Sequence, residues 1–243
     1  MKSKTRYAKL IGAWLCLALM AVAGAAALGQ TGGSTAHLAE ANTLVNILDK
    51  NNNKYDDDGI SNSFINWDGS EAWTNCATFI TLLLKHTYGW TDADFVNWWQ
   101  SSSPTAARYH DQIAAQNRFA QVLYRSQILP GDLIAIEYPA GSAVTGHVML
   151  VAGPPTLRSP GTNPIIAGTL QYEVPVIDSS SSYHGPTDTR HPNNGGVPGG
   201  IGRGVFRLYV DAGDQIVGYT WSTYSNSTYY NQSQRHLVVG RLW

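Results

Sequence analysis

The sequence predicts an α+β domain in which helices come first and an antiparallel β-sheet follows. Two changes of pattern carry this expectation. Up to about residue 124 the apolar residues recur at helical spacing, and from Leu129 onward they fall in short β-rich runs separated by Gly, Pro and Asn. A third observation places one helix at the centre. The run Cys76–Tyr88 is apolar on more than one face, as in a helix buried on all sides.

The elements follow in order. Lys2, Lys4, Arg6 and Lys9 precede a continuously apolar stretch from Leu10 to Leu28, with Ala23-Gly24-Ala25 and Ala25-Ala26-Ala27 as cleavage-type sequences. Residues 1–27 therefore read as an export signal, 28–35 as a linker and 36–243 as a single domain. The implied location is periplasmic or extracellular, with no stable membrane association once the signal is cleaved. Leu38, Ala41, Leu44, Val45 and Leu48 share one face of a first helix beginning at Ala36. Thr74 and Asn75 offer N-caps for the Cys76 helix, and Gly89 ends it. Thr91-x-x-Asp94 resembles a capping box that opens a helix through Trp98 and Trp99, and Pro104–Tyr124 reads as helical again. Pro130-Gly131-Asp132 is a turn before a strand at 133–138. Further strands are expected at 146–153, 173–178, 204–211, 215–220 and 236–242, with Pro175 suggesting an edge or bulge and Gly213 a hairpin turn. Between them, 184–204 is a long Gly/Pro/Asn-rich loop.

Charge narrows the partners. Four of the 16 Lys and Arg, and none of the 17 Asp and Glu, lie in the first 27 residues, so the remainder carries a net charge of −5. With no basic run, nucleic acid is not an expected partner. Of the two cysteines, Cys16 lies inside the signal, which leaves Cys76 without an intramolecular disulfide partner. A lone Cys at a helix start, where free N–H groups and the helix dipole favour a thiolate, is a candidate nucleophile; a small buried hydrophobe is the other reading. His147 opens a strongly β stretch and is the best base. Asp178 closes the next strand and is the best orienting group. An acceptor at Nδ1 of His147 would leave Nε2 facing the sulfur.

Cys76 at a buried helix start, then Pro130-Gly131-Asp132-Leu133 before one strand and Gly146-His147-Val148-x-Leu150-Val151 on the next, resembles the NlpC/P60 superfamily of papain-like, circularly permuted cysteine peptidases and amidases. The resemblance spans roughly residues 64–178. It implies the papain-like form of the α+β fold, with the nucleophile-bearing helix packed on the sheet. It also implies an exported hydrolase, without a cofactor, that cleaves amide bonds through an acyl-enzyme in a peptide or glycopeptide, with peptidoglycan as the family's usual target. Cys76 and His147 carry over directly, and Asp178 takes the variable third place. The chain departs from the family in having Asn75-Cys76-Ala77-Thr78 where Asp-Cys-Ser-Gly is usual. Two alternatives remain open: a non-catalytic cell-wall glycopeptide-binding module on the same scaffold, and an acyltransferase or thioesterase with the same triad.

Other residues are candidates for substrate contact. The Asn66/Trp67 segment could supply a second oxyanion donor. Trp67, Trp73, Trp98, Trp99 and Trp221 could line a groove, though core packing accounts for most such residues. His184, Arg190 and Arg203 fall in or beside the long loop, where the arginines could clamp a carboxylate. His184, Asp188 and His191 would make a poor zinc site on so Gly-rich a loop. Asp49-x-Asn51-x-Asn53 imitates half a calcium loop, but Lys54 and Ile60 stand where Gly and Glu are needed.

Overall fold

In the computed structural model, which describes residues 35–56 and 63–243, four helices cover one side of a large antiparallel sheet. The export signal and most of the linker lie outside the described residues. The helices are α1 (Ala36–Ile47), α2 (Cys76–Tyr88), α3 (Asp92–Trp99) and α4 (Ala106–Ala114). A small sheet joins β1 (Asn53–Tyr55), β2 (Phe64–Ile65) and β3 (Ala72–Thr74) ahead of α2. The large sheet is built from β4 (Phe119–Val122), β5 (Leu133–Glu137), β6 (Gly146–Val151), β7 (Thr156–Leu157), β8 (Leu170–Ser179), β9 (Ile201–Val210), β10 (Ile216–Thr220), β11 (Tyr229–Asn231) and β12 (His236–Leu242). Its order is β11-β10-β9-β8-β6-β5-β12-β4, with β7 paired to β8.

Both faces of this sheet are buried. Along β5, Leu133 and Ala135 pack into the layer shared with the helices, while Ile134 and Ile136 join Met149, Val174, Phe206 and Leu208 in a second core on the other face. A bridge between Tyr124 and Gln215 links the chain after β4 to the chain before β10, so the sheet curls until its two ends meet. The second core lies within that curl. No helix among the described residues is long and apolar enough to cross a membrane.

α2 starts and stops where its capping residues dictate. The Asn75 side chain accepts from the N–H groups of Ala77 and Thr78, and Thr78 returns the bond in a capping box. Gly89 ends the helix with φ 67°. Phe79, Ile80, Leu83 and Leu84 are at most 1 % exposed. Each such side chain contributes about 1.5–3 kcal/mol on burial, which anchors the helix that carries Cys76. The Thr91–Asp94 capping box of α3 also forms.

Two local expectations are corrected. The helix expected over Pro104–Tyr124 is only α4, because Gln116 and Arg118 take positive φ and turn the chain out. Phe119–Val122 then pairs with β12, whose far edge would otherwise be open. Pro175 sits inside β8 where the facing chain bulges, four residues (152–155) standing opposite two (174–175) between the stretches paired with β6 and with β7. No ladder partner there requires the N–H it lacks. The turn after β9 places Asp214, not Gly213, in the left-handed region, while the Asp211 carboxylate takes the N–H groups of Gly213 and Gln215.

Candidate active site

Cys76 is the first residue of α2 and is 6 % exposed. The Asn75 side chain and carbonyl claim the N–H groups of Ala77, Thr78 and Phe79. The Cys76 N–H is the terminal donor that the cap leaves unclaimed. Ser179 Oγ donates to Thr74 O at 2.7 Å and ties the end of β8 to the chain just before the helix. That bond brings the strand carrying Asp178 against the helix start.

His147 enters β6 behind Gly146, whose φ is 152°. A Cβ on Gly146 would lie 1.9 Å from the Ile136 carbonyl oxygen, so only glycine lets β6 begin this close to β5. Cys76 lies beside the His147 ring, close enough to influence it electrostatically, and the ring's Nε2 donates to Asp178 Oδ2 at 2.7 Å. The nitrogens are reversed from the expectation: Nε2 meets the carboxylate, which leaves Nδ1 for the sulfur. Short-range sequence order carries no information about the way a ring rotates.

Asp178 is fully buried and accepts from three side chains. His184 Nε2 donates to Oδ2 at 2.9 Å, beside the bond from His147, and Arg190 donates to Oδ1 at 2.9 Å. Arg190 in turn forks onto both oxygens of Asp188, at 2.9 and 2.8 Å. His184 Nδ1 meets the Trp221 carbonyl at 2.7 Å, so both nitrogens of that ring face oxygen acceptors. Burial by itself would raise the Asp178 carboxyl. Arg190, the His184 charge and the two histidine hydrogen bonds outweigh it and hold the group well below the ordinary carboxylate range. For His147, burial opposes the charged ring. The Cys76 sulfur opposite it and the bond to Asp178 prevail and raise its pKa to about 9.

The long loop reaches this layer because the facing strand is stripped of side chains. A Cβ at Gly202 would meet Arg190 Nε at 2.6 Å, and one at Gly204 would meet Asp188 Oδ2 at 2.4 Å. The alternation Gly200-Ile201-Gly202-Arg203-Gly204 is the sequence signal of this floor. Gly204→Ala is expected to destabilise the domain by about 1–3 kcal/mol through overpacking. Urea denaturation measures it, and an unchanged midpoint would refute the role given to Gly204.

A cleft of about 410 Å³ opens beside His147. Tyr55, Tyr138, Tyr219, Trp221 and Tyr230 wall it, with Arg235 and the turn Ser180–Ser182. The Trp221 ring stands edge-on to His147, centroids 4.6 Å apart, and lies 4.2 Å from His184. It shields the His147–Asp178 bond from water. Among the described residues, two histidine–carboxylate groups have the composition of metal sites. In the first, His147, Asp178 and His184, the facing atoms are already hydrogen-bonded and Arg190 is attached to the same carboxylate, so a cation would displace two bonds beside a fixed positive charge. The second, His110, Asp111 and Glu137, lies at the α4–β5 edge.

No family model and no solved structure matches this sequence. Uncharacterized protein R653 of Acanthamoeba polyphaga mimivirus is 32 % identical over 176 residues, which cover 70 % of this chain and 77 % of that protein. The chain belongs to the R653 family.

In this R653-family chain several expected contact residues lie outside the cleft. His184 and Arg190, expected on a substrate wall, are 0 % and 2 % exposed and support Asp178 from within. Arg203 turns away to Asn42 of α1, at 2.7 Å. Trp67 stacks on His86 with centroids 3.8 Å apart, ten residues along α2 from Cys76 and so about 15 Å from the helix start. Neighbouring Asn66 bonds to Ser70 and Glu71 in its own turn, so this segment supplies no oxyanion donor at Cys76. Trp73 stands on the exposed side of β3, and Trp98 and Trp99 pack with Trp90 and Phe95. Among the tryptophans, Trp221 lines the cleft. The Asp49 carboxylate is taken by Asn51 and Asn52 in a tight turn rather than held open for calcium. The reading of the sequence missed Tyr138, Tyr219, Tyr230 and Arg235, which come from separate stretches of the chain and carry no local motif.

Proposed function

We propose that the chain is an exported cysteine hydrolase, of the papain-like NlpC/P60-related kind, that cleaves an amide bond in a peptide or glycopeptide. One observation carries this reading: Cys76, at a helix N-terminus, stands beside His147, whose Nε2 is held by a buried Asp178. The sulfur attacks the carbonyl carbon and forms a C–S bond. The Cys76 N–H, at the positive helix end, stabilises the oxyanion. His147 delivers its proton to the leaving nitrogen as the C–N bond breaks. Water then attacks the thioester, giving a proton to His147 while the thiolate leaves. Asp178 keeps the ring oriented, and Trp221 keeps water from their bond.

Peptidoglycan is the proposed substrate. Incubation of cell-wall preparations with wild type and Cys76→Ala is the test, and the absence of any Cys76-dependent fragment from every peptidoglycan type tried would exclude this substrate. Turnover is expected to have an alkaline limb near pH 9, because above it His147 no longer carries the proton that the leaving group requires. A rate that rises steadily through pH 10 would remove His147 as the acid.

A further inference from the structure

Arg235 combines an aromatic setting with a place on the cleft. It lies between β11 and β12, and its guanidinium is sandwiched between the rings of Tyr138 and Tyr230, 3.9 Å from each centroid. Arg125, Arg158, Arg190 and Arg241 are each paired with a carboxylate. Among the described residues, no carboxylate lies within ion-pair distance of Arg235. It lines the same cleft as His147, and the other lining residues are Tyr, Trp, Ser, Thr, Gly and Val, with no acid among them. The two rings restrain the guanidinium, with Tyr219 beside it, and it offers its remaining N–H groups to the cleft that these residues line. A planar, immobilised fork loses little entropy on binding and matches the two oxygens of a carboxylate. Tyr138 connects the two ends of the site, since it feels the charge of Cys76 as well as that of Arg235.

We propose that Arg235 is the specificity residue of this cleft and receives a free carboxylate of the substrate alongside the bond that Cys76 attacks. The proposal rests on the reading of Cys76 as the nucleophile. The substrate class becomes an amide that carries an acidic group near the scissile bond, as a peptide with a free C-terminus or an acidic side chain does. The clamp expected from Arg190 or Arg203 on the loop is thus supplied by the opposite wall.

The test uses thiol alkylation and needs no natural substrate. N-iodoacetyl derivatives of glycine, β-alanine and γ-aminobutyrate are compared with their carboxamides, and Cys76 labelling is followed by mass on the full chain. The readout is the acid-to-amide rate ratio within each variant, which cancels changes in thiol reactivity. For at least one spacer the wild-type ratio is expected to exceed one, to fall about tenfold in Arg235→Gln and to recover only in part in Arg235→Lys, which keeps the charge but not the fork. Equal ratios in wild type and Arg235→Gln for all three spacers would overturn the proposal. Failure of the nucleophile reading shows separately, as iodoacetamide labelling of Cys76 no faster than that of a free thiol. The ratio still reads Arg235 in that case.

Discussion

His147→Ala is expected to lower amide turnover by about 10²- to 10⁴-fold, the range for a lost general acid–base group. Cys76→Ala is expected to abolish turnover. The two changes separate a catalytic His147 from a structural one, because the ring also conditions the sulfur. At pH 6 an ordinary thiol is only about 0.3 % ionised. His147 beside the sulfur can take its proton as the thiol reacts, which eases that limit. Iodoacetamide should therefore label Cys76 at pH 6 roughly tenfold faster in wild type than in His147→Ala. The difference should shrink above pH 9, where the His147 proton is lost in the wild type as well. Identical labelling profiles from pH 5 to 10 would reduce Cys76 to a packing residue.

Breaking the buried layer beneath the site is expected to have the largest effect on stability. Arg190→Met removes the cation shared by Asp178 and Asp188, both fully buried, and leaves two buried carboxylates without their common positive charge. Loss of one partner from a buried ion pair costs about 3–5 kcal/mol, which is roughly 10 °C in Tm for a domain of this size. The pH dependence identifies the groups. Asp178 has a depressed folded pKa, so its contribution is present above the unfolded value of about 3.9 and is lost as pH falls towards the folded one. His147 has a raised pKa, so its contribution is complete below the unfolded value of about 6.5 and is lost as pH rises through about 9. Urea midpoints against pH should fall on both sides for the wild type and flatten in Asp178→Asn, which removes the common partner. A flat wild-type profile would show that the layer does not stabilise the fold.

The buried layer is also where reading the sequence was least complete. Cys76, His147 and Asp178 were legible because each sits at the end of a regular element. The Asn75 cap, the Gly146 strand start and the close of β8 are all local patterns. His184 and Arg190 were noticed for their chemistry but placed on the wrong side of the site. Their burial depends on Gly202 and Gly204, residues on a strand that follows the loop in sequence and pairs beside β8 in space.

By itself the sequence determined that helices precede the main run of antiparallel strands and that α2 starts at Cys76, and it singled out His147 and Asp178 at strand ends. These depend on capping, periodicity and turn chemistry, which act over a few residues. The tertiary structure decided which nitrogen of His147 meets Asp178, that His184 and Arg190 lie beneath the site, and that Arg235 stands in the cleft between Tyr138 and Tyr230. Those facts depend on how the sheet curls and which strands become neighbours, and such long-range contacts leave no periodic mark on the chain.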